Sequence, residues 1–291
     1  MSSARKERRG SGTLFVVATP LGNLDDLSPR ALSTLRSVAA IACEDTRRTS
    51  RLLARYDVDV ATVSCHKFNE RQRLEPILER LRAGDDVALV SDGGTPAVSD
   101  PGALLVRTAL GEGLRVCPLP GPSAVATLLS VSGLPADRFV FDGFLPHRAG
   151  ERRRRLRELR DESRTIVLFE APHRLPAALR DIEEVLGPRQ IVVGRELTKL
   201  HETILTGTAG ELAKQLETER VRGEITLVLA GCGEETGQAD ATARRIVGCW
   251  RDALHANAGD RRAALRWAAR ALGLRKAELQ RRLTELGVDD G

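Results

Sequence analysis

Apolar β-branched runs alternate with polar or Gly/Pro loops and helix starts through the first half of the chain. Thr13 to Ala18 predicts a strand, with Thr19-Pro20-Leu21-Gly22-Asn23 as the loop after it. Ser28 then supplies an N-cap and Pro29 a first-turn proline for a helix reaching about Val38. Val38 to Cys43 predicts a second strand, running into Glu44-Asp45-Thr46-Arg47-Arg48. Asp86 to Ser91 predicts another, ending in Asp92-Gly93-Gly94-Thr95-Pro96, with Asp100-Pro101 capping the helix beyond. Val116 to Leu119 ends in Pro120-Gly121-Pro122-Ser123, where Ser123 is placed to cap an apolar helix from Ala124 to Leu129. Near-continuous apolar strands separated by helices predict a mostly parallel sheet. In such sheets ligands bind beyond the carboxyl ends of the strands, so four loops far apart in sequence are expected around one cleft.

Near residue 120 the pattern changes. Phe139 to Phe144 is strand-like, Glu151 to Arg160 is helical and rich in arginine, and Thr165 to Phe169 predicts a strand leading to Glu170-Ala171-Pro172-His173-Arg174. A helix from Pro176 to Leu186 stops at Gly187-Pro188. Two further strands, Gln190 to Gly194 and Glu224 to Ala230, are separated by a Thr-rich turn and a helix near Gly210 to Glu219. From Asp240 the spacing is helical: Leu265, Ala268, Ala269 and Leu272, an interruption at Gly273, then Ala277, Leu279, Leu283 and Leu286. The pattern sets out a basic tail at 1–11, an N-terminal α/β domain with a parallel sheet at 12–119, a second α/β domain with a mixed sheet at 120–233, and a helix-turn-helix-like appendage at 240–291.

Composition narrows the function classes. Of 291 residues only 3% are aromatic, so the cores must be built from Val, Leu, Ile and Ala, and a platform of stacked rings is excluded. Cys43, Cys65, Cys117, Cys232 and Cys249 are odd in number and contain no CxxC pair, which points to a reducing compartment and away from zinc. The start MSSARKERRG is basic, but no apolar run long enough for a secretory signal follows, and the cytoplasm is the expected location. The net charge of +5 is unevenly placed: +3 falls in residues 1–10, +5 in 148–157 and +4 in 240–291, leaving −7 on the rest. Basic segments on an acidic body suit an extended polyanion better than a small neutral substrate.

No GxGxxG follows the first strand, and GxxxxGK[ST], HExxH and GxSxG are all absent. The strand-end loops instead suit a small molecule held by backbone. Asp92-Gly93-Gly94-Thr95-Pro96 has two glycines for close approach and a proline that fixes the chain after them. Pro120-Gly121-Pro122-Ser123-Ala124 sets a rigid turn at a helix start, where N–H groups can hold a carboxylate. Polar clusters accompany them: Glu44 to Arg48; Ser64, His66, Lys67, Asn69 and Glu70; Glu170, His173 and Arg174; and Arg195, Glu196, Thr198 and Lys199. No HxH or HxxxH spacing occurs, so no metal is expected.

These residues resemble one family. The blocks LFVVATPLGNLDDLSPRAL (14–32), IACEDTRRTSRLL (41–53), SCHKFNE (64–70), VALVSDGGTPAVSDPG (87–102), PLPGPSA (118–124), SGLPADRFVFDGFLP (132–146), FEAPHRL (169–175) and GRELTKLHE (194–202) are similar to the tetrapyrrole-methylase-like superfamily. Within it they resemble the group that 2′-O-methylates a cytidine in the decoding centre of small-subunit (16S) ribosomal RNA. Gly93 and Gly194 stand where the family more often has alanine.

The resemblance implies an α/β, two-domain tetrapyrrole-methylase-like (class III methyltransferase) fold with a small C-terminal helical hairpin. It also implies a homodimer, and S-adenosyl-L-methionine folded into the cleft between domains. Cofactor contacts are expected from Pro20, Asp92, Gly93, Gly94, Thr95, Pro96, Pro120, Gly121, Pro122, Ser123, Ala124, Leu197 and Ala230. The lining that meets the RNA ribose is expected to be Glu44, Asp45, Arg47, His66, Asn69, Glu70, Glu170, His173, Arg195 and Glu196. Because a ribose hydroxyl must lose its proton as it is methylated, Glu44 or Asp45 is expected to accept or orient it, with His66 and Glu70 in reserve. The arginines at 152–155 and the C-terminal hairpin are expected to grip RNA within the small subunit. The competing readings are a methyltransferase for a tetrapyrrole or other small metabolite, and a non-catalytic ribosome-binding protein that keeps the fold.

Overall fold

A computed structural model of the chain describes residues 10–217, 221–233, 246–257, 260–286 and 288. The expected tail at 1–11, apart from its last two residues, and positions 240–245 of the C-terminal segment lie outside the described residues. The chain forms two compact units: residues 1–160 with 164–229, which hold both sheets, and residues 161–163 with 230–291.

The first sheet consists of β1 (Thr13–Val17), β2 (Ala40–Cys43), β3 (Thr62–Ser64), β4 (Val87–Leu89) and β5 (Arg115–Leu119), all parallel, in the order β3-β2-β4-β1-β5. Its strands are apolar on both faces because helices cover both. Phe15, Val17, Ile41, Cys43 and Ala88 pack with α1 (Pro29–Ser37) and α2 (Thr46–Arg55). Leu14, Val16, Ala42, Val87 and Leu89 pack with α3 (Glu70–Arg82) and α4 (Ala103–Gly111). Pro118 is tolerated because β5 lies at the edge, where a missing N–H breaks no central ladder. The chain leaves β1 toward β2 and leaves β4 toward β5, in opposite directions along the sheet. That divergence opens a crevice beyond the ends of β1 and β4.

After α5 (Ala124–Ser132) comes the second sheet: β6 (Phe139–Phe144), β7 (Thr165–Glu170), β8 (Gln190–Arg195), β9 (Thr203–Thr208) and β10 (Ile225–Leu229), in the order β6-β7-β10-β8-β9. β6 and β7 are parallel and the other pairs antiparallel, so the sheet is mixed. One face is covered by α6 (Ala149–Glu158), α7 (Leu175–Leu186) and α8 (Ala209–Leu216). The other receives α5 through Val125, Leu128 and Leu129 against Val167, Val192 and Val228.

Several local expectations change. The Thr-rich stretch read as a turn is strand β9, the sheet's far edge, whose β-branched residues extend once β8 offers a partner. Ser123 is the N-cap residue of α5 but its side chain makes no capping bond. Asp100 does not cap α4 either. Its N-cap is Gly102, in the left-handed region at φ +115°, and a carboxylate from another helix serves the free N–H groups, as described below.

Three of the arginines at 152–155 are paired with carboxylates of the protein. Arg152 is buried, donating from Nε to Asp181 at 2.6 Å and from Nη1 to the carbonyls of Pro146 and His147. Arg153 reaches the same Asp181, and Arg155 pairs with Asp142 and Glu158. Of the four, Arg154 alone stands exposed. The Arg152 guanidinium, held by Asp181 inside the fold, is withdrawn from phosphates, while Arg153 and Arg155 are paired but partly exposed.

In the C-terminal unit a helix at 246–256 (α9), α10 (Arg261–Leu272) and α11 (Lys276–Glu285) share a core of Ile246, Trp250, Ala253, Ala264, Ala268, Leu279 and Leu283. Asp260 caps α10 from its side chain, and Gly273, at φ +68°, ends it. Arg262, Arg266 and Arg270 recur every fourth residue on one exposed face, with Trp267 half exposed beside them. No described helix is long and apolar enough to cross a membrane.

Candidate active site

The loops beyond the parallel strands are tied to each other. Thr19 and Gly94 exchange backbone hydrogen bonds at 2.9 Å, and the Thr19 hydroxyl donates to the Ser91 carbonyl. Asp45 N–H donates to Asp92 Oδ1 at 3.0 Å, and Thr95 Oγ1 donates to the Pro122 carbonyl at 3.2 Å. From the second sheet, Thr198 Oγ1 accepts from Asn23 N–H, and the Lys199 stem crosses Gly22 so closely that a Cβ there would meet it at 2.1 Å. Glycine at 22 is therefore a packing requirement.

These loops border a cavity of about 350 Å³, within the range of small-molecule sites. One wall is Leu21, Gly93, Gly94, Thr95 and Val98; another is Ser123, Ala124 and Val125 at the start of α5; the second sheet adds Phe144, Phe169, Glu170, Pro172 and Ile225. Gly94 has φ +89°, and a Cβ on it would sit 3.2 Å from Leu21 Cδ2, so backbone there reaches the cavity directly. Gly121 approaches Ala18 so closely that a Cβ would lie 3.0 Å from the alanine methyl.

Of the expected cofactor residues, Asp92, Gly93, Gly94, Thr95, Ser123 and Ala124 line this cavity. Pro20 lines a neighbouring recess with Arg48 and Leu52. Pro96 is buried and Pro120 and Gly121 exposed, while Pro122 acts through the carbonyl that holds Thr95. Leu197 belongs to the core beside Leu128, and Ala230 directly follows β10.

The expected ribose lining divides. Glu170 is buried in the cavity wall: its Oε1 accepts from Arg174 and from Ala171 N–H, while Oε2 is buried with no partner. Glu44 lies half-buried at the end of β2, where burial and the nearby Asp92 charge raise its carboxyl and Arg48 and His66 pull it back. Asp45 caps α2 and is gripped by Arg47 at 3.0 Å; that side-chain bond, with the Arg47 N–H, holds its carboxyl down to about 2. Asn69 clamps its own turn, accepting from His66 N–H and donating to Ser64. Glu70 Oε1 accepts from the N–H groups of Gly102, Leu104 and Leu105, and so supplies the missing cap of α4.

His173 is exposed on the turn after β7. Arg195 lines a different small recess, with Leu175, Thr203 and Val221. Glu196, at φ +51°, accepts from Lys199 and from Glu224 N–H and pins the loop before β10. Three cavity groups escaped sequence reasoning: Asp100, Glu224 and the Phe144/Phe169 pair. The Asp100-Pro101 dipeptide has the form of a helix cap, and nothing local to it points to the cavity. Among the described residues no group of His, Cys, Asp and Glu is arranged to hold a metal.

The parallel sheet followed by a mixed one, with strand-end loops closing on a cavity, belongs to a methyltransferase of the tetrapyrrole-methylase class. The family model for tetrapyrrole (corrin/porphyrin) methylases matches residues 13–213. A ribosomal RNA small subunit methyltransferase I from Pseudomonas aeruginosa is 48% identical over 238 residues, 79% of this chain and 84% of that protein. One from Thermotoga maritima is 46% identical over 220 residues, 76% of this chain and 99% of that protein. The chain belongs to the ribosomal RNA small subunit methyltransferase I family. Among solved structures, a cobalt precorrin-4 methyltransferase superposes with TM-score 0.57 at 19% identity, covering 75% of this chain and 94% of that one. A diphthine synthase gives 0.58 at 15%, with 76% and 90% covered. At such identities the likeness is one of fold.

Proposed function

We propose that this chain methylates the 2′-hydroxyl of a cytidine in the decoding centre of 16S ribosomal RNA, using S-adenosyl-L-methionine, in the cytoplasm and as a homodimer. The observation that carries the reading is the combination of close kinship with RNA-directed methyltransferases and a cavity suited to that cofactor. The tetrapyrrole-pathway enzymes of like fold stand at 20% identity or less, so kinship favours the RNA substrate.

The fit to the cofactor rests on the cavity's own chemistry. A buried carboxylate oxygen without a partner, Glu170 Oε2, calls for a donor, and Asp92 and Glu224 add negative charge around the same space. S-adenosylmethionine carries an ammonium, an adenine amino group, ribose hydroxyls and a positive sulfonium. Its carboxylate suits the start of α5, where Ser123 leaves the first N–H groups uncapped by its side chain. Gly93, Gly94, Thr95, Ser123 and Ala124 would hold it through backbone, with Leu21, Val125 and Phe169 as the apolar bed. When bound, the cofactor supplies an already activated methyl group.

The protein's part is then to align the ribose and remove its proton. Residues 12–119 and 120–233 act as lobes around the cavity. Glu44 lies close enough to the cavity's Asp92 to feel its charge, with Arg48 and His66 nearby, and Arg48 reaches Asp92 and Glu224 at 3.4 and 4.0 Å. The exposed arginines of α10 supply phosphate contacts that position the substrate without reading sequence. Tritiated methyl transfer to purified small ribosomal subunits lacking the modification tests the whole reading. Label confined to one cytidine 2′-oxygen is expected, and label on a small-molecule acceptor alone would overturn it.

A further inference from the structure

Four carboxylates border the cavity: Asp92, Asp100, Glu170 and Glu224. Three are engaged with cations. Asp92 pairs with Arg48, Glu170 with Arg174, and Glu224 with Lys199 at 3.3 Å and Arg48 at 4.0 Å. Asp100 has no ion-pair partner among the described residues, and the Ser91 hydroxyl lies near enough to its carboxyl to influence it. Three of the four thus face a cation and Asp100 does not, so they are not equivalent.

The fold holds Asp100 in place at some conformational cost. Ala97 and Ser99 both lie in the left-handed region, at φ +67° and +62°, where non-glycine residues are uncommon. The turn is closed by Ala97 N–H donating to the Pro101 carbonyl at 3.3 Å. Gly143, at a register shift in β6, gives Ser99 its room: a Cβ there would lie 2.9 Å from Ser99 Oγ. Beyond the turn, Glu70 anchors Gly102. A segment fixed at both ends thus presents to the cavity one carboxylate that no cation pairs among the described residues.

We propose that Asp100 is the proton acceptor of the methyl transfer. The inference rests on the function proposed above. As the ribose oxygen forms its bond to the methyl carbon, its O–H bond breaks and the proton passes to an Asp100 oxygen. The methyl–sulfur bond breaks with its electron pair left on sulfur, so charge balances without a further reactant. Burial pushes the Asp100 carboxyl up to about 6; Glu44 adds like charge, the Ser91 hydroxyl acts against it, and Asp92 and Glu224 raise it further. The groups facing it are Glu44 after β2, Ser91 and Asp92 after β4, and Glu224 before β10, with Asp92 and Glu224 screened by Arg48. Such a group is charged at neutral pH yet more basic than an ordinary carboxylate.

The test uses full-length protein and small ribosomal subunits lacking the modification, with single-turnover transfer followed from pH 5 to 8 at saturating cofactor. The unaltered enzyme should gain rate up to about pH 6 and then level off. Asp100→Asn should lose turnover by about a hundred- to ten-thousand-fold and lose the inflexion, with calorimetric affinity for S-adenosylhomocysteine within about threefold. In the ligand-free protein, infrared titration should show a protonated carboxyl vanishing with a midpoint near 6, absent in Asp100→Asn. Turnover retained in Asp100→Asn, or lost only through cofactor affinity, overturns the proposal alone. No transfer to subunit RNA by the unaltered enzyme overturns the functional reading, and this proposal with it.

Discussion

Glu70→Ala removes one carboxylate oxygen that accepts three N–H groups at the start of α4, from Gly102, Leu104 and Leu105 at 3.1, 3.0 and 3.3 Å. Gly102, as N-cap, has no side chain with which to replace it. Losing a side-chain cap costs about 0.5–2 kcal/mol, and losing negative charge at a helix N-terminus about 0.3–1 kcal/mol more. Glu70 is half-buried, so the upper part of these ranges applies and the expected loss is about 2 kcal/mol. Glu70→Gln keeps an acceptor and forfeits the charge, for about 1 kcal/mol. In a unit of this size 2 kcal/mol lowers the melting temperature by about 4–8 °C. Circular-dichroism melts in urea and with heat measure the stability. Methyl transfer well below the transition measures the chemistry, and Glu70→Gln should keep turnover within about threefold. Unchanged melts beside a hundredfold loss of turnover would show that Glu70 acts on substrate and refute the capping role.

Asp181→Ala should destabilise by about 3–5 kcal/mol in urea melts, because Arg152 is left charged and unpaired in the interior. Gly94→Ala forces a side chain into φ +89° and against Leu21, for about 1–2 kcal/mol, and should weaken S-adenosylhomocysteine binding about tenfold by calorimetry. Asp100 is raised from 3.8 to about 6, so the native chain holds an extra proton between those values and stability from this group falls as pH rises through them. Asp100→Asn should therefore melt higher than the parent at pH 8, by about 1–2 kcal/mol after allowing for solvent screening. Asp45, held down to about 2, works oppositely: its contribution is present above about 4 and is lost as acid titrates it. Changing Arg262, Arg266 and Arg270 together to Gln should weaken subunit binding and flatten its salt dependence, by filter binding at several ionic strengths.

The order of strands and the loops that matter were readable because a buried parallel strand must be apolar throughout, as in TLFVV and VAL, and must end in residues that can turn. Gly94 could be singled out because glycine in such a turn has few other reasons to be there. What local pattern could not convey was partnership at a distance. The Thr-rich run from Thr203 extends only because β8 lies beside it, 13 residues earlier at Gln190. Asn69 and Glu70 looked like reactive groups, yet one holds His66 and the other a helix 32 residues on. The arginine run of α6 has the composition of a phosphate grip, yet Asp142 and Asp181, on other elements, pair with three of its arginines. Asp100 was passed over for the same reason: its surroundings are built by β2, β4 and the segment before β10, which meet only in the folded chain.

Tritiated methyl transfer from S-adenosylmethionine to small ribosomal subunits lacking the modification, followed by nuclease mapping of the label, tests the central claim most directly. Label on the 2′-oxygen of a single decoding-centre cytidine is the predicted result. Label on bases or on several riboses, or none despite measurable cofactor binding, would contradict it.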